Sequence, residues 1–214
     1  MELIVKNISK TIKKQQILTD VSATFASGKI YGIVGRNGSG KTMFFRGISG
    51  LMKVSGEVIY GDKVLGKDMR VLPNLGMIIE NTQMYPEFSG YTNLKMLADI
   101  NKKIGKKEIV ESLERVGLDP SDKRPVAKYS LGMRQKLAIA QAIMEKPDIL
   151  LLDEPTNGLD DNTVKSFWNI MREEKQRGTI ILLASHSKED IEILADEVYH
   201  MHKGVLTKEE ADEK

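Results

Sequence analysis

The sequence predicts an α/β fold built on a mostly parallel sheet, and three observations carry that prediction. Strand-sized apolar runs alternate with helical patterns on both sides of a more polar middle section. One of these runs, Ile149-Leu150-Leu151-Leu152, is apolar on both faces, as a strand in the middle of a parallel sheet must be. A glycine-rich octet, residues 35–42 (GRNGSGKT), stands between the apolar run at 30–34 and Met43-Phe44-Phe45, a run that can open a helix.

In chain order, residues 3–5, 21–25 and 29–34 read as strands, with Ser27-Gly28 as the turn before the third. The helix after the octet is expected to stop near Gly50, because glycine takes the left-handed conformation of a helix end without a Cβ penalty. Residues 56–62 read as a strand entering a tight turn, and 75–79 as a further short strand. From 92 to 116 the chain turns Lys/Glu-rich, with Leu94, Leu97, Ile104, Ile109 and Leu113 near helical spacing. A second helix is expected from Ser130 to about Glu145, ended by Pro147. Strand and helix then alternate again: a strand at 149–152, a helix around 163–176, a strand at 179–185, a helix near 188–195 and a short strand at 198–202. Residues 208–214 read as a charged, frayed tail.

Chemistry concentrates at the ends of the apolar strands. In the octet, glycines let successive N–H groups converge into one concavity for phosphate oxygens, and the helix N-terminus behind it adds unpaired donors and a favourable dipole. Lys41 supplies a point charge for terminal phosphates and the Thr42 hydroxyl is a ligand for Mg²⁺. The strand at 149–152 delivers Asp153 and Glu154 to the same edge of the sheet. Asp153 suits Mg²⁺, and Glu154 suits orientation or deprotonation of an attacking water. His186, at the end of the strand at 179–185, is a candidate γ-phosphate sensor. His200 and His202 share one strand face, but with no third ligand nearby no metal site is read there.

Composition narrows the classes. A net charge of +2 on 214 residues leaves no large electrostatic footprint for nucleic acid. The absence of cysteine removes disulfides, thiol catalysis and cysteine-based zinc sites together. The first residues carry neither a basic segment nor a long apolar one, so no signal peptide is expected, and no apolar run approaches the roughly 18 residues of a membrane-spanning helix. The expectation is a soluble, cytoplasmic chain that reaches a membrane only through a partner. The lysines at 102, 103, 106 and 107 read as a solvated helix surface, with anionic lipid or acidic partners as the alternative.

The motifs GRNGSGKT (35–42), YSLGMRQ (129–135), ILLLDEP (149–155), TNGLD (156–160) and ASH (184–186), in that order, resemble the ATP-binding-cassette (ABC) ATPases over about residues 1–205. That resemblance implies a P-loop NTPase core with a mostly parallel sheet, an N-terminal antiparallel β-subdomain and an inserted α-helical subdomain. The chain is then one domain: about 1–80 and 146–207 as core and β-subdomain, about 81–145 as the helical subdomain, and 208–214 as tail. ATP and Mg²⁺ are the implied ligands. Gly35, Asn37, Gly38, Ser39, Gly40, Lys41 and Thr42 become Walker A; Asp153 becomes the Walker B carboxylate; Glu154, His186 and Lys41 become the catalytic set. Ser130 and Gly132 match the signature loop, which in this family completes the site of a second subunit, and Asp160 is similar to the D-loop aspartate and counts with the nucleotide-binding residues.

Four positions in three places depart from the family pattern. The signature reads YSLGM, with Leu131 and Met133 replacing the usual Gly and Gln. Glu80 stands where the Q-loop Gln is expected and becomes a metal-side ligand and hinge. Ile12 stands where an adenine-stacking aromatic is expected, so an aliphatic side chain would cover the base. Glu80 and YSLGM are similar to the branch serving bacitracin or lantibiotic peptide export and immunity. The implied protein is a transport-coupled ATPase, a homodimer or a heterodimer with a second cassette, on the inner face of the cell membrane through an integral permease. Permease helices would dock at residues 82–116, with Tyr85, Pro86 and Phe88 as apolar contacts. Nucleic acid is not an expected partner. An importer ATPase, a soluble cassette of translation or DNA repair, and a non-hydrolysing partner in a heterodimer are the alternatives.

Overall fold

A computed structural model of the chain describes residues 1–79 and 84–209. Two sheets form its frame. The first is antiparallel: β1 (Glu2–Ile12), β2 (Gln15–Ala26), β4 (Ser55–Tyr60) and β5 (Lys63–Val64), in the order β2-β1-β4-β5. The second contains β3 (Ile30–Val34), β6 (Leu75–Ile78), β7 (Ile149–Asp153), β8 (Ile180–Ala184), β9 (Glu197–His202) and β10 (Val205–Lys208), ordered β10-β9-β3-β8-β7-β6. All its pairings are parallel except the hairpin of β9 with β10.

The strands that build the parallel sheet are apolar on both faces because both faces are covered. Along β7, Ile149 and Leu151 join the core that faces the antiparallel sheet and α1 (Lys41–Ser49). Leu150 and Leu152 join the core under α5 (Asp161–Gln176) and the other helices. The same alternation splits Ile180 and Leu182 from Ile181 and Leu183 in β8, the expected result of a period of two. Each such side chain contributes about 1.5–3 kcal/mol on full burial.

Between β6 and β7 stand α2 (Gly90–Asn101), α3 (Lys106–Arg115) and α4 (Leu131–Ile143). Arg115 fastens this helical group to the core, donating to Glu174 (2.9 Å) and Glu173 (2.8 Å) of α5. Ahead of α2, buried Asn93 organises the loop that precedes its own helix. Its side-chain oxygen accepts from the Tyr85 N–H (2.7 Å), and its amide donates to the carbonyls of Tyr85, Phe88 and Ser89. That leaves Tyr85 and Phe88 as an exposed ring pair, centroids 6.2 Å apart.

Several boundaries differ from expectation. β1 and β2 are far longer than the strands read at 3–5 and 21–25, and Lys208 belongs to β10 instead of opening a tail at 208. It donates to Glu197 of the neighbouring strand at 2.8 Å. Residues 210–214 of that tail lie outside the described residues, as do Glu80, the expected metal-side ligand, and Thr82, the first residue of the expected docking segment. α6 (Lys188–Leu194) lies where a helix was expected. Among the described residues no helix is long and apolar enough to cross a membrane.

Candidate nucleotide site

The octet leaves β3 at its C-terminal end and becomes α1. Gly35 is required there by close approach: a Cβ would stand 2.3 Å from the Met201 carbonyl oxygen and 2.7 Å from Ser39 Oγ. Gly38 and Gly40 take positive φ, 75° and 115°, and no side chain caps the N-terminus of α1. The first N–H groups of α1 therefore lack a side-chain cap, and an anion held by the loop would supply their acceptor.

β7 and β8, which pair in register from Ile149↔Ile180 to Asp153↔Ala184, bring their ends to the same rim. Lys41 is buried, and its Nζ donates to the Gly35 carbonyl (2.7 Å) with His186 Nε2 at 3.5 Å. The Thr42 hydroxyl donates to Asp153 Oδ2. The Glu154 carboxylate receives the His186 backbone N–H on Oε2 at 3.2 Å, while Oε1 lies 3.4 Å from His186 Nε2 without hydrogen-bond geometry. His186 Nε2 lies 2.6 Å from Asn37 Oδ1. Glu154 itself has φ of 52°, which costs a non-glycine residue about 1–2 kcal/mol. The sequence-predicted Lys41, Thr42, Asp153, Glu154 and His186 thus converge on one cleft of about 810 Å³, which residues 36–43 also line.

Two buried oxygens in this cleft, Ser39 Oγ and Glu154 Oε1, have no hydrogen-bond partner among the described residues. An unpaired buried polar group costs about 1–3 kcal/mol, so a ligand presenting both acceptors and donors fits the cleft better than an apolar one. The adjoining Thr42 hydroxyl and Asp153 carboxylate form an oxygen donor pair suited to a hard cation such as Mg²⁺.

Other expected residues lie elsewhere. Ile12 ends β1 beside the hairpin turn and does not line the cleft; Ile17, on the returning strand, does. Ser130 caps α4, accepting the Met133 N–H at 3.1 Å, and Asp160 caps α5, accepting the Thr163 N–H at 3.0 Å. That backbone bond is the main reason the Asp160 carboxyl sits below its ordinary value. Neither of them, nor Gly132, lines this subunit's cleft.

Two residues of the signature segment reach the cleft without having been singled out for it. Gln135 donates to the Pro155 carbonyl at 2.7 Å, and Leu131 lies against Gly158, where an added Cβ would be 2.6 Å from Leu131 Cδ2. One helical turn apart, they grip the segment that follows Glu154. The i, i+4 spacing was the signal available in the sequence.

Comparison with known proteins agrees with this geometry. The family described as ABC transporter matches residues 18–157. The chain is 47% identical over 203 residues to the uncharacterized ABC transporter ATP-binding protein YybJ of Bacillus subtilis (strain 168), covering 94% of this chain and 93% of that protein. It is 36% identical over 210 residues to the lantibiotic transport ATP-binding protein SrtF of Streptococcus pyogenes, covering 97% and 90%. A solved ATP-binding subunit of an ABC transporter superposes with a TM-score of 0.88 at 27% identity, covering 99% of this chain and 91% of that one. Motif order, cleft geometry and these similarities together show that the chain belongs to the ABC transporter family, as one of its ATP-binding, ATP-hydrolysing subunits.

Proposed function

We propose that this chain powers a separate membrane permease, exporting a peptide or antibiotic-like compound, by closing as a head-to-tail pair of cassettes on ATP and reopening after hydrolysis. In this reading residues 35–42 wrap the phosphates, and Lys41 exchanges the Gly35 carbonyl for the β- and γ-phosphates. Thr42 and Asp153 hold Mg²⁺, which when bound offsets charge on the phosphate oxygens. Glu154 orients the attacking water and accepts its proton as the water oxygen bonds to the γ-phosphorus and the bond to ADP breaks. His186 contacts the γ-phosphate, and Ile17, in place of Ile12, covers the base.

Ser130, Gly132 and Asp160 stand outside their own subunit's cleft, as residues that complete a partner's site would. Ser130 caps α4, so the remaining N–H groups of its first turn suit a γ-phosphate presented by a second copy. The exposed Tyr85 and Phe88, on a loop held by Asn93, are the apolar contacts offered to the permease. The export of a peptide rests on the likeness to the lantibiotic transport relative.

The observation that carries the hydrolytic part of the reading is the pair of unpartnered buried oxygens on Ser39 and Glu154, one on the phosphate loop and one on the expected base. Glu154→Gln tests it. Turnover should fall by about 10²–10⁴-fold, the usual contribution of a positioned general base, while ATP still binds and light scattering detects a dimer. Unchanged turnover would remove Glu154 from the reaction.

A further inference from the structure

Glu154 and His186 sit on different loops, after β7 and after β8, yet hydrolysis needs them in one fixed relation. Behind both loops lies Asp190, in the first turn of α6 and fully buried. Its Oδ2 accepts from Thr156 Oγ1 at 2.6 Å and from Ser185 Oγ at 3.0 Å. Thr156 is two residues beyond Glu154, and Ser185 immediately precedes His186. A single buried oxygen atom is therefore shared by the two loops that carry the reacting side chains. The other oxygen, Oδ1, accepts from Trp168 Nε1 of α5 at 2.8 Å, which stops the carboxyl from turning about its own axis. Ser187 completes the cluster: its N–H donates to Ser185 Oγ (3.0 Å) and its own hydroxyl accepts the Asp190 N–H (3.2 Å).

Most buried polar clusters only satisfy one another and specify a core. This one has a further task, because Glu154 is held at φ of 52° and such a conformation persists only where the surroundings over-determine it. Upstream, the Glu154 N–H donates to the Ala184 carbonyl at 2.8 Å. Downstream, the Thr156–Asp190 and Gln135–Pro155 bonds hold the other side. Loss of the Asp190 bond would let residues 154–156 relax toward ordinary backbone angles and carry Glu154 away from His186.

We propose that Asp190 is a positioning residue for ATP hydrolysis, a shared acceptor that fixes the Glu154 loop against the His186 loop. The inference rests on the roles given above to Glu154 and His186. Asp190→Asn tests it with little change of shape. Trp168 Nε1 is a donor only, so the remaining oxygen must face Trp168 and the new NH₂ group must face Thr156 and Ser185. Each hydroxyl can only accept from that NH₂ group, so both of their protons lose the shared acceptor and the two loops keep only the weaker, reversed contacts.

Turnover by D190N should fall about 10–100-fold, the scale of a 1 Å misplacement. KM and the affinity for a fluorescent ATP analogue should stay within about twofold, because residues 36–43 make no bond to Asp190. Thr156→Val and Ser185→Ala each cut one of the two threads and should show the same split, so the inference can be judged even if D190N fails to fold. An impaired E154Q beside unimpaired D190N, T156V and S185A overturns the role of Asp190 alone. A proportional fall of turnover and nucleotide affinity with melting temperature also overturns it. An unimpaired E154Q overturns the assignment of Glu154 and this inference with it.

Discussion

Replacing Gly158 by alanine should destabilise the protein in a way that depends on Leu131, two changes that sequence distance would treat as unrelated. Gly158 has φ of 77°, and holding alanine there costs about 1–2 kcal/mol. The new Cβ would also stand 2.6 Å from Cδ2 and 2.8 Å from Cγ of Leu131, so that side chain must leave its rotamer. Leu131 is 61% exposed and has room to do so, which limits this second cost to about 0.5–1.5 kcal/mol. Gly158→Ala alone should therefore cost about 1.5–3.5 kcal/mol. Leu131→Ala, which removes a mostly exposed side chain, should cost about 0.5 kcal/mol or less. In the double variant the clash is gone and only the backbone strain remains, leaving a coupling of about 0.5–1.5 kcal/mol. Urea unfolding of the four proteins, at matched protein concentration without nucleotide, measures it. Additivity within about 0.3 kcal/mol would refute the contact between the α4 N-terminus and the segment after Glu154.

A Gly132→Asp subunit mixed with a Lys41→Ala subunit should retain at most one competent composite site per pair, and full ATPase activity of the mixture would refute the shared site. Glu197 accepts from Lys208 (2.8 Å) and Lys29 (2.6 Å), and the Lys208 bond is the first cause of its lowered pKa. Its folded value lies below the unfolded one, so its stabilisation is complete above the ordinary glutamate value of 4.5 and disappears as pH falls through the folded value. The melting-temperature deficit of Glu197→Gln should thus be larger at pH 7 than at pH 3, and a deficit independent of pH would count against the pairing. Ser130→Ala, which removes the cap of α4, should cost about 1 kcal/mol in urea unfolding, and a cost near zero would mean the cap is dispensable.

Local rules read the parallel core well. Runs apolar on both faces, the octet between β3 and α1, the Gly50 helix end and the carboxylates after β7 each depend on neighbours in the chain. The antiparallel sheet was harder because its strands slip register between Val5 and Ile8 and again near Lys10, with Asn7 and Asp20 at positive φ. These irregularities break the alternation that marks a strand. Its hairpin turns through Lys13-Lys14, both at positive φ, where turn rules look for Asn-Gly or Asp-Gly. Once that tight turn is known, Ile17 and not Ile12 faces the cleft. The turn into β10 is of the same kind, with Lys203 and Gly204 at positive φ, so that strand went unread and only its last residue, Lys208, was placed in the tail. Asp190 stayed hidden because its side-chain partners lie 5, 22 and 34 residues away, on two loops and a helix. No periodicity records such a meeting.

The backing of the phosphate loop has a consequence for synthesis. The octet is complete at Thr42, but β3 lies between β8 and β9, and the Gly204 N–H donates to the Ser39 carbonyl at 2.8 Å. The Gly204 carbonyl in turn receives the Thr19 N–H at 2.9 Å, stitching the N-terminal sheet to the same turn. A nascent chain therefore displays its phosphate-binding residues long before it has built the walls that shape them. Full shaping of the loop therefore waits on residue 204, and a chain cut before Glu197 should lose nucleotide binding because it lacks β9 and both Gly204 bonds, far from the octet in sequence.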